Sequence, residues 1–159
     1  TKMRSVIDAA NPAGIAANIA QQFEIGAQIT AKGLMPILEP EVTITIADKA
    51  EAEDIVLEEI TKHLDALPDG EEIMLKLSLP TKVNHYKPLV DHPKVLKVVA
   101  LSGGYSRDEA NGLLSQQTGM IASFSRALSE GLSDSQPDAA FDATLAATVD
   151  SIYQASIAG

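Results

Sequence analysis

The sequence predicts an α/β fold built on a parallel sheet, and three observations carry that prediction. Short apolar runs alternate with longer periodic stretches about five times along the 159 residues, the pattern of strand–helix–strand units with right-handed crossovers. The most apolar run, Ile73-Met-Leu-Lys-Leu-Ser-Leu-Pro80, is continuous rather than alternating, as strands covered on both faces are. Polar residues also recur at the ends of the apolar runs: 37 residues separate Lys2 from Glu39, 37 separate Glu39 from Lys76, 26 lead on to Ser102 and 24 more to Arg126. A closed eightfold barrel takes about 250 residues, roughly 30 per unit, with its chemistry at the C-terminal ends of the strands. Five such units account for this chain without closing a barrel. An open doubly wound sheet of five strands fits the same pattern.

The elements follow in order. Thr1–Ile7 reads as a strand, with Lys2, Arg4 and Val6 on one face by the two-residue period. Asn11-Pro12 is a helix start, with proline at the first helical position, and Gly33 supplies the stop after the Ala-rich stretch Ile15–Lys32. Leu34–Leu38 is the second strand, running into Glu39-Pro-Glu41. Asp48 and Glu51 resemble a capping arrangement for a helix reaching about Leu67. The apolar run of Ile73–Pro80 is the third strand, opened by Asp69-Gly70 and closed by Pro80, and a short helical stretch around Tyr86–Asp91 follows. Val95–Leu101 is the fourth strand. Ser106 and Glu109 then make a capping box for a helix through about Ser115. Gly119–Ser123 reads as a fifth strand leading to Arg126. Pro137 opens a last helix whose apolar positions Phe141, Leu145, Val149 and Ile152 recur every three or four residues. No composition shift marks a linker, so residues 1–159 read as a single domain.

Composition narrows the function classes. A net charge of −10 argues against nonspecific nucleic-acid binding, and no apolar run is long enough to span a bilayer. The chain shows no signal-peptide pattern, and without cysteine it has neither a disulfide framework nor a thiolate metal site. That fits an intracellular, cytoplasmic protein. His63, His85 and His92 lack metal-ligand spacing and read as solvent-facing or structural, so no metal is expected.

The candidate chemistry lies at the strand ends. Lys76 shares a strand face with Met74 and Ser78. Burying a lysine disfavours its charged form and leaves amine free to attack a carbonyl, whereas a lysine that snorkels or completes an ion pair is the competing reading. Glu39 and Glu41 project to one face unless Pro40 bends the chain. Two confined carboxylates do not both ionise easily, so one becomes a proton donor; a solvated loop is the alternative. Lys2 and Arg4 are a second same-face pair, poised to form a charged cluster with those glutamates or to lie exposed at the sheet end. Ser102-Gly103-Gly104, leading into a helix near Ser106, is a candidate phosphate cradle, with Arg126 as its cation. It matches neither the P-loop nor the dinucleotide fingerprint, and Gly-Gly at such a junction is often a tight turn. Lysine nucleophile, paired carboxylates and anion site together suit Schiff-base chemistry on a phosphorylated carbonyl compound.

Pro36-Ile-Leu-Glu-Pro-Glu-Val42, Met74-Leu-Lys-Leu77, Leu101-Ser-Gly-Gly104 and Ser123-Phe-Ser-Arg-Ala-Leu128 resemble, in this order, class I (Schiff-base) fructose-bisphosphate aldolase, most closely its bacterial branch. The resemblance runs over nearly the whole chain. It implies a (β/α)8 TIM barrel, here about the last five βα units. The implied reaction is reversible cleavage of fructose 1,6-bisphosphate to dihydroxyacetone phosphate and glyceraldehyde 3-phosphate, in glycolysis and gluconeogenesis, with neither metal nor cofactor. By position it implies Lys76 as Schiff-base lysine, Glu39 as acid/base in carbinolamine dehydration, and Glu41 and Lys2 as supporting catalytic groups. Ser102, Gly103 and Arg126, with Gly104 beside them, match the C1-phosphate site, and Arg4 reaches toward the C6 phosphate. Ser125 departs from the glycine that many animal members carry before the arginine.

The family chain is about twice as long, so the resemblance also implies a fragment that begins in the fourth strand. The first three strands would hold an acid/base aspartate and further phosphate contacts. Such a half-barrel exposes strand edges and is expected to need the N-terminal half of the barrel or another copy of the chain, with a homo-oligomer as the final assembly. Two other readings stand beside it: another lysine-dependent sugar-phosphate aldolase or a transaldolase-like enzyme, and a non-catalytic sugar-phosphate-binding module.

Overall fold

A computed structural model describes residues 1–159. Five strands, β1 (Lys2–Ile7), β2 (Ile37–Val42), β3 (Ile73–Ser78), β4 (Val95–Leu101) and β5 (Ile121–Ala122), form one sheet in the order β1-β2-β3-β4-β5. Every adjacent pair is parallel. Six helices connect or flank them: α1 (Pro12–Thr30), α2 (Lys49–Asp65), α3 (Lys87–Val90), α4 (Arg107–Leu114), α5 (Arg126–Ser129) and α6 (Asp138–Ile157).

The sequential order separates the two architectures that the pattern left open. In a doubly wound sheet the strand order reverses and helices cover both faces. Here every crossover advances the same way, so right-handed connections place the helices on one face only. The result is a partial (β/α) barrel: helices outside, a concave strand face inside.

The outer face is the core. Leu38, Leu75, Leu77, Val98 and Ala100 are 0–1 % exposed, as are Ile19, Val56, Ile60 and Leu64 on α1 and α2. Burial of each such side chain contributes about 1.5–3 kcal/mol. The register Arg4↔Glu39 and Lys76↔Val99 puts the alternate, polar positions together on the concave face.

Local signals account for several boundaries. Asn11 caps α1 by accepting from Gly14 N–H at 3.0 Å, with Pro12 behind it. Ser106 and Glu109 complete the anticipated capping box on α4. The Asp48 expectation is corrected: its side chain makes no cap bond, because its carboxylate accepts the distant Ala10 N–H at 2.7 Å instead. The second strand lies later than Leu34–Leu38 and runs straight through Pro40 to Val42. The fifth is only Ile121–Ala122, and Arg126 opens a short helix rather than trailing a strand. The histidines pack locally: His63 stacks on Phe23, His85 sits edge-on to Tyr86, and His92 lies 3.3 Å from Asp65. No helix is long and apolar enough to cross a membrane.

Candidate functional site

At the C-terminal rim of the sheet, on the concave side, a cavity of about 320 Å³ is lined by Lys2, Arg4, Glu39, Glu41 and Lys76 from β1–β3, and by Ser102, Gly103, Ser125 and Arg126 beyond β4 and β5. Parallel register brings the residues of the first group together. Arg4 pairs across the ladder with Glu39, and Val6 with Glu41, so the basic face of β1 lies against the acidic face of β2.

The ion pairs are specific. Glu39 is 3 % exposed and lies between two lysines, with Lys2 Nζ 2.7 Å from Oε2 and Lys76 Nζ 3.4 Å from Oε1. Arg4 Nε donates to Glu41 Oε2 at 2.5 Å. That hydrogen bond, reinforced by the charges of Glu41 and Glu39, raises the guanidinium above its already high value. Lys76 is itself 8 % exposed. A buried lysine amine thus faces a buried carboxylate, and Lys2 supplies the second cation for that carboxylate.

The anion cradle is built from the chain turn after β4. Gly103 has φ +63 and Gly104 φ +116, conformations that side-chain-bearing residues rarely adopt. A Cβ on Gly103 would stand 2.8 Å from Ile44 Cγ2, so the turn also fits only glycine at this close approach. Tyr105 N–H closes the turn on Ser102 carbonyl at 3.0 Å, while the amides of Gly103 and Gly104 donate to no group of the chain. Those two are the free donors. Ser106 and Arg107 N–H already donate to Glu109 and Glu130 carboxylates, at 3.0 and 2.9 Å. Arg126 reaches back so that its Nη1 is 3.8 Å from where a Gly104 Cβ would sit.

Every residue singled out from the sequence lies in or against this cavity; Gly104 stands beside the lining rather than in it. Sequence reasoning missed Leu101 and Ser123, which also line it. The two-residue period of β4 places Leu101 on the face of Val99, and that alternation is the signal that would have found it.

No family model matches the chain. Curated relatives do. It is 55 % identical over 157 residues to "Fructose-bisphosphate aldolase class 1" of Synechocystis sp.. It is likewise 55 % identical over 157 residues to the protein of that name from Porphyromonas gingivalis, and 52 % to the one from Clostridium acetobutylicum. Each alignment covers 99 % of this chain and 52–53 % of the relative, so the chain spans about half the length of the curated relatives it matches. Among solved structures, fructose-bisphosphate aldolase from Plasmodium falciparum, crystallised with TRAP and a small-molecule inhibitor, superposes with a TM-score of 0.71 at 18 % identity. That match covers 99 % of this chain and 56 % of the other and shows the shared barrel fold. Over 99 % of its length, the chain is 52–55 % identical to about half of three bacterial proteins that all bear the name class 1 fructose-bisphosphate aldolase.

Proposed function

We propose that this chain carries the Schiff-base half of a fructose-bisphosphate aldolase site. The observation that carries the reading is the 3.4 Å approach of Lys76 Nζ to the buried Glu39 carboxylate, in a cavity that also holds an anion cradle.

Glu39 takes a proton from the Lys76 ammonium, and the free amine attacks the C2 ketone, forming the C–N bond of a carbinolamine. Glu39 then returns a proton to the departing hydroxyl, which leaves as water, and the iminium forms. Loss of the C4 hydroxyl proton breaks the C3–C4 bond. Its electron pair moves into the enamine, and glyceraldehyde 3-phosphate departs. Protonation at C3 and hydrolysis of the iminium release dihydroxyacetone phosphate and regenerate Lys76. Lys2 balances the Glu39 charge through these transfers, and Glu41 holds Arg4 toward the far phosphate. Ser102, the Gly103 amide, Ser125 and Arg126 grip the near phosphate, where fixed donors and a guanidinium suit a dianion. Positioning of this kind converts a bimolecular attack into a near-unimolecular one.

The open strand edges belong to the same proposal. Ile121 and Phe124 join Leu128, Val149, Ile152 and Tyr153 in lining an apolar trough of about 460 Å³ beside β5. The N-terminal half of the barrel, or another copy of the chain, covers that trough and the β1 edge in the working protein, which is cytoplasmic and homo-oligomeric.

The test is to incubate the chain with dihydroxyacetone phosphate, reduce with borohydride and map the adduct by mass spectrometry. An adduct on Lys76, lost in Lys76→Ala, supports the reading. Phosphate binding by a folded sample with no adduct would leave a sugar-phosphate-binding module instead.

A further inference from the structure

We propose that Ser78 is a positioning residue: its hydroxyl closes a gap that Pro40 and Pro80 leave between β2 and β3 and thereby holds Glu39 against Lys76. The proposal rests on the reading of Lys76 as nucleophile and adds a residue that lies outside the cavity lining.

The gap follows from the strand pairing. β1–β2 and β3–β4 are each registered over six pairs, whereas β2 and β3 are registered only at Ile37↔Met74 and Leu38↔Leu75. In a parallel strand, successive residues direct their amide and carbonyl to opposite neighbours. Ile37 N–H donates to Thr1 carbonyl on the β1 side, and Thr43 N–H to Ile7 carbonyl on that same side. Pro36 carbonyl accepts from Met74 N–H on the β3 side. Even-numbered positions of β2 therefore face β3. Pro40 is the even-numbered position with no N–H to give. The ladder stops just where Glu39 and Lys76 stand opposite one another.

Two residues further on, Ser78 Oγ donates to Val42 carbonyl at 2.7 Å. Ser78 is 1 % exposed and lies on the strand face of Lys76, two residues along. Stepping by two from Met74 N–H and Pro36 carbonyl, the ladder donor to Val42 carbonyl would be residue 80, a second proline, so the Ser78 hydroxyl stands in for the N–H that Pro80 lacks. It ties the end of β2, with Glu39 and Glu41, to the strand that carries the nucleophile. Without it Val42 carbonyl is buried with no donor, and β2 is held to β3 only below the site. A serine here does what a further ladder bond would do while leaving Pro40 in place.

The experiment compares the whole chain with Ser78→Ala, Ser78→Cys and Ser78→Thr, each matched for fold by circular dichroism. Cysteine keeps the shape with a weak donor; threonine keeps the hydroxyl. Two quantities are read: affinity for dihydroxyacetone phosphate, and the rate of borohydride-trapped adduct at saturating ligand. The expected result for the alanine and cysteine forms is affinity within about threefold of the parent and trapping slower by on the order of tenfold, the worth of one buried hydrogen bond. Threonine restores the rate. Unchanged trapping in the alanine and cysteine forms, or rate and affinity falling together without rescue by threonine, overturns the proposal.

Should the parent chain form no adduct, the reading of Lys76 fails by itself, and amide exchange in residues 37–43 decides the role of Ser78. Faster exchange in Ser78→Cys that threonine reverses upholds the closure; exchange equal to the parent's overturns it.

Discussion

Replacing Gly103 by alanine should cost the fold and the anion cradle together. The new Cβ would lie 2.8 Å from Ile44 Cγ2 and 3.2 Å from Leu101 Cδ1, at a residue with φ +63. Holding a side-chain-bearing residue in the left-handed region costs about 1–2 kcal/mol. Forcing Ile44 and Leu101 aside adds about 1–3 kcal/mol, as overpacking does elsewhere. The sum is about 2–5 kcal/mol, or about 4–20 °C of melting temperature for a chain of this size. Ile44 is the handle that separates the two terms. In an Ile44→Ala background most of the steric part disappears, and Gly103→Ala should then cost only the conformational 1–2 kcal/mol, on the order of the αL penalty. The assay is a double-variant cycle by thermal and urea unfolding, with dihydroxyacetone phosphate affinity measured alongside. Equal costs in both backgrounds would refute the steric argument. A Gly103→Ala chain that melts with the parent and binds phosphate as well would refute the whole account of the turn.

Three more expectations follow from the same structure. Glu53 is 1 % exposed and pairs with Lys49, whose Nζ also reaches Leu79 carbonyl at 2.9 Å; Glu53→Leu strands that ammonium and should cost about 3–5 kcal/mol by urea unfolding, with most of it recovered in Lys49→Met/Glu53→Leu. Glu109 is held below its ordinary value near 4.5 by its hydrogen bonds to Ser106. A carboxylate depressed on folding stabilises above its unfolded value and loses that contribution as pH falls through the folded one, so Glu109→Gln should lower stability at neutral pH and flatten the acid limb of the stability profile below about pH 4.5. Arg126→Gln should weaken dihydroxyacetone phosphate binding by about tenfold or more, the scale of a lost charge-assisted contact, while the melting temperature of this exposed residue's variant stays within a few degrees, read by calorimetric titration and thermal melts.

Much of this was legible in the chain itself, for local reasons. The β3 run announces a covered strand because parallel strands bury both faces, and Lys76 stands out only against that background. Asn11-Pro12 and Ser106 with Glu109 mark helix starts because capping is settled within four residues. The glycine pair after β4 signals a turn because only glycine takes those angles freely. Alternation on β1 and β2 paired Lys2 with Arg4 and Glu39 with Glu41, since each pair lies two residues apart on one strand.

What the tertiary structure decided depends on partners distant in sequence. Asp48 looks like a cap, yet its carboxylate is taken by Ala10, 38 residues away. Pro40 could have bent the chain, but β2 continues through it because β1 pairs with the other set of amides, and further along Ser78 gives Val42 carbonyl the hydrogen bond that Pro80 lacks an N–H to make. The strand order, and with it the choice between a barrel face and a doubly wound sheet, follows from which strands hydrogen-bond, a matter on which periodicity is silent. Which lysine meets which carboxylate is set by register: side-chain period names the face, but only the alignment of neighbouring strands brings Lys2 and Lys76 to the two oxygens of one glutamate.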